Sequence, residues 1–168
     1  SDMLDLLVER AQAEGLERYE VSAFAKPGHR CVHNLNYWRF GDYLGIGAGA
    51  HGKVSFADRI VRQVRWRDPA TYMANAEQGR GVSNQNDVAV QDLPFEFMLN
   101  ALRLKDGFDL NLFAQRCGVP WTVLDDGLQK AQGQGLLERT EGLAPTVKPT
   151  PRGFDFLSNL QSLFLKPA

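Results

Sequence analysis

The sequence predicts an α+β protein, and three observations support this prediction. Residues 1–56 combine a stretch of helical spacing with an alternating stretch and an apolar run that is bounded by glycines. Residues 57–90 complete a hairpin pattern and add one helix. Residues 91–168 place several helices around two short strands. Successive blocks of this kind indicate an α+β chain with three consecutive segments.

The composition excludes several classes of protein. The chain has 168 residues, 43% of them hydrophobic, so it can bury a core. Its 19 basic and 20 acidic residues nearly cancel, which argues against nucleic acid or an anionic membrane as a partner. No apolar run approaches the ~20 residues of an integral membrane segment. The 2 widely spaced cysteines suit a reducing cytoplasm, and the missing initiator methionine predicts a piece of a longer protein.

The first segment predicts one helix and two strands. A helix capped by Asp2 and stopped at Gly15 is expected from the spacing of its apolar residues. The stretch "RYEVSAF", residues 18–24, alternates and predicts a strand. The run "DYLGIGAGA", residues 42–50, predicts a buried strand. Because two strands are too few to close a sheet, this segment reads as the end of a larger α/β domain.

The middle segment predicts a hairpin and a helix. In "KVSFADRIVRQVRW" the turn is expected at residues 57–59. Asp68 and Pro69 begin the following helix, because proline suits the first helical turn. The polar stretch "GVSNQNDV", residues 81–88, predicts a loop and a segment boundary near residue 90.

The last segment predicts a winged-helix-like domain. A helix capped by Asp92, a short helix stopped by Gly118 and a third helix precede two strands around the turn at residues 141–142, and a final helix closes the chain. The expected buried faces of the first and third helices are Phe95, Met98, Leu99 and Leu102, and Trp121, Leu124, Leu128 and Ala131. Asp125 and Asp126 on the third helix would repel DNA phosphates, so a structural or lid role is favoured over nucleic-acid binding.

The stretch "CVHNLNYWRFGDYLGIGAGAHG", residues 31–52, is the candidate site. His33 offers an imidazole that could ligate iron, or that could only form hydrogen bonds within a loop. Asn34 could orient a neighbouring group, and Tyr37 and Trp38 offer flat apolar faces that suit a planar ligand or a protein core equally well. The glycines allow close approach of the backbone to a ligand or to another strand, although their spacing is not that of a dinucleotide-binding motif.

The same residues carry a resemblance to a known family. Residues 19–54 resemble the end of the radical S-adenosylmethionine core in the oxygen-independent coproporphyrinogen III oxidase-like family. The letters "HNLNYW", residues 33–38, match the HNxxYW signature of its heme-chaperone branch. The stretches "DLPFEFMLNALRLKDGFDL" and "TPRGFDFLSNL" resemble the C-terminal domain of that family.

This resemblance implies the C-terminal remnant of a partial (β/α) barrel, at residues 1–56, and a winged-helix-like domain at 91–168. It also implies S-adenosylmethionine and a [4Fe–4S] cluster in a longer parent protein. The CxxxCxxC loop that would hold the cluster does not occur in this chain, so neither group is expected here and the chain alone should be inert.

The function that the resemblance implies is to bind heme and deliver it to a client protein. His33, Asn34, Tyr37 and Trp38 would then bind the heme, and Glu20, Gly47, Gly49 and His51 would lie near the cofactor end of the barrel. Two alternatives stay open. One is the oxidative decarboxylation of coproporphyrinogen III, and the other is a winged-helix interaction module without a ligand.

Overall fold

The structure is a computed structural model that describes residues 2–165. It opens with helix α1 (Asp2–Ala13), which ends before Gly15, whose positive φ of 73° lets the chain turn away. The predicted helix and its stop are thus confirmed, whereas the predicted cap at Asp2 lies outside the described side chains. The apolar face of α1 is open, since Met3 and Leu6 are 85% and 52% exposed.

The predicted strand at residues 18–24 is wrong, because the segment forms a tight antiparallel hairpin. Strand β1 (Glu17–Arg18) pairs with strand β2 (Phe24–Ala25). The carboxylate of Glu20 accepts hydrogen bonds from the Ser22 N–H and hydroxyl. Such local bonds compete with an extended strand and favour a turn.

The candidate stretch begins with a helix, where the sequence predicted a loop. Helix α2 (Val32–Trp38) ends at Arg39, and Phe40 follows with a positive φ of 56°. Asn36 fastens this turn, since its amide donates to the Asp42 carbonyl and its own carbonyl accepts the Gly41 N–H. A side chain at Gly41 would overlap Asn36, so the turn requires glycine there.

A three-stranded antiparallel sheet follows, in the order β3-β4-β5. Strand β3 (His51–Ser55) and strand β4 (Ile60–Arg65) form the predicted hairpin. Strand β5 (Val82–Asp87) occupies the stretch that was predicted as a loop, because β4 offers a second edge for pairing. The loop prediction failed because the intrinsic propensity of a sequence determines a strand only weakly when distant residues decide its pairing.

The predicted buried strand at residues 42–50 is also wrong. Leu44 and Ile46 are 73% and 85% exposed, and within this run Tyr43 alone pairs with a strand residue, Lys53. Helix α3 (Pro69–Ala76) confirms the prediction for its start, because the Asp68 carboxylate accepts the Thr71 N–H. Hydrogen bonds from the Thr71 side chain and backbone also lower the pKa of Asp68 below its usual value.

The C-terminal part combines helices with a small sheet. Its elements are α4 (Leu93–Ala101), β6 (Phe108–Asp109), α5 (Asn111–Cys117), α6 (Asp125–Gly133), β7 (Leu137–Arg139), β8 (Thr146–Pro149), α7 (Pro151–Asp155) and α8 (Leu157–Ser162). The strands pair antiparallel in the order β6-β8-β7. The predicted stop at Gly118 is confirmed by its φ of 70°. Strand β6 was not predicted, and the predicted final helix is broken at Phe156.

Helix α4 deviates in detail from its predicted cap and face. The Asp92 side chain forms no cap hydrogen bond, and a 3-10 turn (Val90–Asp92) leads into the helix instead. Leu99 is 41% exposed although it was predicted to be buried, whereas Phe97 is fully buried. Leu124, Leu128 and Ala131 are buried as predicted.

A single hydrophobic cluster connects the segments. It includes Phe40 from the turn after α2 and Ile60 from β4, together with buried residues from α4 through α8. Phe97 packs edge-on against Phe40, Phe108 and Phe113, with ring centroids 5.5, 5.4 and 5.2 Å apart. The architecture is therefore mixed α+β, as the sequence predicted.

Lys53 ties β3 to the turn after α2. Its side chain is 1% exposed, and its ammonium donates to the Phe40 carbonyl, Asp42 Oδ1 and Ser55 Oγ at 2.9–3.0 Å. Burial lowers the pKa of Lys53, although Asp42 opposes this effect. Burial alone would raise the pKa of Asp42, but hydrogen bonds from Lys53 and Ser55 outweigh it and lower that pKa below 3.8.

The close packing of Gly153 against the backbone yields a first prediction. A Cβ at Gly153 would overlap the Leu136 carbonyl oxygen, whereas a Cβ at Gly133 would meet open space. We expect Gly153→Ala to lower the free energy of unfolding by ~2 kcal/mol or more, because the backbone at Leu136 must move to make room for the added methyl group. Gly133→Ala, also at a helical glycine, should raise it by up to about 1 kcal/mol. Urea unfolding of both variants measures the difference, and equal effects would contradict this packing.

The lowered pKa of Asp42 yields a second prediction. The pKa of Asp42 is lower in the folded state than in the unfolded state. Such a carboxyl stabilises the fold at pH values above its unfolded-state pKa, and this stabilisation is lost as the pH falls through its folded-state pKa. Asp42→Asn should therefore destabilise the chain at neutral pH, and the difference from the original chain should shrink below about pH 4. Urea unfolding at several pH values tests this, with Asp58→Asn as a control for the loss of an exposed charge. A difference that is constant with pH would contradict it.

Candidate functional site

The outer face of α2 presents an imidazole and a phenol ring side by side. His33 and Tyr37 are one helical turn apart, and their rings meet edge-on with centroids 4.7 Å apart. His33 is exposed, and among residues 2–165 its ring nitrogens have no hydrogen-bond partner. Tyr37 is half-buried because it leans on Tyr43 at 4.3 Å. The imidazole is thus accessible to a ligand, and the phenol ring forms a wall beside it.

The inner face of α2 carries the other two candidate residues. The Asn34 side-chain amide donates to the Tyr19 hydroxyl at 3.2 Å. The Trp38 ring lies under the Arg103 guanidinium, 4.2 Å from its centroid. The structure therefore divides the four predicted residues, with His33 and Tyr37 facing outward and Asn34 and Trp38 contacting the rest of the chain.

Glu20 lies beneath this helix and is only 2% exposed. One carboxylate oxygen accepts from Ser22, and the other forms an ion pair with Arg103 at 3.3 Å. A carboxylate so deeply buried needs such partners, because an unpaired buried charge is costly. Glu20 is thus held within the chain by its bonds to Ser22 and Arg103.

The backbone N–H groups of the predicted glycine-lined loop form hydrogen bonds with other parts of the chain. The Gly47 N–H donates to the Tyr72 hydroxyl at 3.2 Å, and the Gly49 N–H donates to the Trp66 carbonyl at 2.7 Å. Both glycines have positive φ, 106° and 70°. His51 is exposed at the start of β3, and a Cβ at Gly45 would overlap the His51 carbonyl. Gly45 thus permits close approach to a neighbouring strand, which was one of the two predicted alternatives, whereas Gly47 and Gly49 provide positive φ angles and have no such close contact.

Sequence reasoning missed three residues that support the site, namely Tyr19, Tyr43 and Arg103. Tyr19 and Arg103 contact α2 from outside the candidate stretch, and Tyr43 contacts it from the run that follows the helix. The four-residue spacing of His33 to Tyr37 and of Asn34 to Trp38 was a usable signal. It would have indicated two faces of a helix.

The cysteines do not form a cluster site. Cys31 is exposed, whereas burial raises the pKa of Cys117 to about 12, which disfavours the thiolate that ligates iron. Within residues 2–165, no three His, Cys, Asp or Glu side chains come together as a metal-binding group. The residues present therefore do not fit a [4Fe–4S] cluster. In the same part of the chain, no helix is long and apolar enough to cross a membrane.

Comparison with known proteins finds one matching family model and several similar heme chaperones. Residues 88–156 match the family model for the HemN C-terminal domain. The heme chaperone HemW of Escherichia coli strain K12 is 46% identical over 154 residues, which cover 91% of this chain and 39% of that protein. The heme chaperone HemW of Mycobacterium tuberculosis is 34% identical over 155 residues, 89% of this chain and 38% of that protein.

A solved structure shares the fold. It is that of the coproporphyrinogen III oxidase HemN from Escherichia coli, described as a radical SAM enzyme. The TM-score is 0.66 at 15% sequence identity, over 97% of this chain and 40% of that one. The match supports the mixed α+β architecture and, at this identity, nothing finer.

The radical SAM, heme-chaperone and coproporphyrinogen oxidase-like character that the sequence indicated is thus found in the relatives. Residues 88–156 thus match the HemN C-terminal domain, and the chain is a homologue of the HemW heme chaperones that spans about two fifths of their length.

Proposed function

We propose that this chain is the heme-handling part of a heme chaperone, and that heme is held on the outer face of α2 before it passes to a client protein. The observation that carries the proposal is the exposed, unbonded imidazole of His33 beside the Tyr37 ring. Imidazole is a common axial ligand of heme iron, and a flat aromatic ring gains from contact with the macrocycle.

The remaining candidate residues have supporting roles in this proposal. Asn34 orients α2 through Tyr19, and Trp38 shapes the helix from its inner side. Glu20, Gly47, Gly49 and His51 would lie near the cofactor end of the larger protein. S-adenosylmethionine and the [4Fe–4S] cluster would be bound by the longer relatives outside the region shared with this chain, since the residues present lack the cluster ligands.

We also propose the finer architecture that the sequence indicated. Residues 1–56 would be the end of a partial (β/α) barrel, residues 57–90 a hairpin and connecting helix, and residues 91–168 a winged-helix-like domain. The order α4, β6, α5, α6, β7, β8 supports the last assignment. The location would be the cytoplasm, consistent with two free cysteines.

Decarboxylation of coproporphyrinogen III has weaker support as the function. The oxidase shares the fold at 15% identity, whereas a heme chaperone is 46% identical. The chaperone therefore stands as the proposal.

A direct test compares His33→Ala with His29→Ala in a heme titration followed by absorbance. Loss of an axial ligand should weaken heme affinity about tenfold or more in His33→Ala. His29→Ala should change it little, since His29 is an exposed residue outside α2. Melting temperatures should stay close to that of the original chain in both variants. If His33→Ala melts early and still binds heme with the original affinity, His33 is structural and the proposal is wrong.

The cysteine content predicts that the purified chain carries no [4Fe–4S] cluster. A cluster of this type needs thiolate ligands, and the chain has only 2 cysteines, one of them half-buried with a raised pKa. Iron and acid-labile sulfide should both be well below one equivalent per chain. Four irons with matching sulfide in a monomeric sample would contradict this expectation.

A further inference from the structure

The Arg103 side chain makes two contacts that connect α2 with the rest of the chain. Its guanidinium covers the Trp38 ring at 4.2 Å and forms an ion pair with the buried Glu20 at 3.3 Å. The stack and the ion pair use the planar, permanently charged group that distinguishes arginine from lysine. One side chain thus holds both the C-terminal end of α2 and the hairpin that precedes it.

The three segments around Arg103 are joined by further bonds. The Tyr19 hydroxyl accepts from Asn34 of α2, and the Tyr19 carbonyl accepts the Lys105 N–H, two residues after Arg103. Glu20 pairs through its backbone with Leu104. The β1–β2 hairpin, α2 and the segment after α4 therefore form a closed set of contacts, in which the Arg103 side chain touches both the hairpin and α2. The Arg30 side chain, just before α2, also joins Glu17 of the hairpin to Asp106.

Helix α2 depends on such external contacts for its orientation. It has 7 residues, and Cys31 provides no side-chain hydrogen bond at its N-terminus. Helices this short are not stable in isolation, so tertiary contacts decide where their faces point. The Trp38 indole N–H and the Arg103 Nε–H are both buried without an acceptor in the described residues. Unpaired donors cost stability, so hydrogen bonding does not explain why these two groups lie together.

We propose that Arg103 is a positioning residue for the heme-handling face. By joining Trp38 to the Glu20 carboxylate through its guanidinium, it sets the direction in which His33 and Tyr37 point. The inference rests on the proposed function, since it assigns Arg103 a role in heme affinity through α2 and not through contact with heme.

The test uses the double variant Glu20→Gln with Arg103→Met. Removing Arg103 alone would leave the buried Glu20 carboxylate without its cationic partner, and the resulting loss of stability would be unrelated to the placement of α2. Removing both charges avoids this problem. Glutamine keeps the acceptor for the Ser22 N–H, and methionine keeps an unbranched side chain that can pack against Trp38.

The chain offers a matched control at a second site. Arg139 lies over the Trp121 ring at 4.9 Å, pairs with Asp125 at 2.9 Å, and also buries an Nε–H that has no hydrogen-bond acceptor among the described residues. Arg139 therefore connects β7 to α6 and to the turn at Trp121 that precedes α6. Asp125→Asn with Arg139→Met removes the same kind of clamp from a site that does not touch α2.

Two measurements are made on each double variant. The first is the nuclear Overhauser effect between the rings of Tyr37 and Tyr43, which are 4.3 Å apart and report the placement of α2 without heme. The second is the heme titration. In Glu20→Gln/Arg103→Met the Overhauser effect should weaken and heme affinity should fall about tenfold or more, as for residues that orient a metal ligand. The control variant should change neither, and both variants should unfold cooperatively.

The other possible results of these two measurements contradict the proposed role of Arg103. An unchanged Overhauser effect in Glu20→Gln/Arg103→Met overturns the positioning role. A weakened effect with unchanged heme affinity, while His33→Ala loses affinity, shows that the placement of α2 does not matter for heme and also overturns it. Equal losses in the control variant assign the effect to general stability. If His33→Ala keeps full affinity, the proposed function fails, and the role of Arg103 in heme binding fails with it.

Discussion

The burial of Phe97 is the constraint on which the rest of the structure depends. This ring is fully buried and packs edge-on against three other phenylalanines, each from a different part of the chain. Such pairs contribute about 0.5–1.5 kcal/mol each beyond the area they bury. Phe40 is the partner from the N-terminal part, and it directly follows the turn that ends α2. The position of the candidate site is thus linked to the hydrophobic core that the C-terminal helices form.

In the N-terminal part of the chain, where few apolar residues are buried, cations that lie over aromatic rings connect the segments. In the described part of the chain, the buried apolar residues before Ile60 are Tyr19, Ala25 and Phe40. Lys53 over Phe40 and Arg103 over Trp38 connect this sparse region to its neighbours, and both cations also bind a carboxylate. A buried or half-buried charge with a fixed partner restricts geometry more than it adds stability. These connections therefore suit a segment whose orientation matters.

Local signals predicted much of the fold, and pairing between distant segments explains the failures. Asp68 and Pro69 start α3, Gly118 ends α5, and the β3–β4 turn lies where it was expected, because caps and turns depend on neighbouring residues. Strand β5 has a polar sequence that suits a loop, and it is extended only because β4 pairs with it. Leu44 and Ile46 have a sequence that suits a strand, yet no full partner strand lies beside them in the described residues.

The sequence by itself indicated the candidate site residues, and it determined the resemblance to the heme chaperones, which "HNLNYW" and the C-terminal stretches carry and which the comparisons confirm. It also determined the α+β class, because hydrophobic spacing depends on nearby residues. The tertiary structure alone decided which members of the motif face outward. His33 and Tyr37 are accessible because Tyr19 and Arg103 engage Asn34 and Trp38 on the opposite side of α2. No local pattern encodes contacts that form only when distant segments meet around a common core.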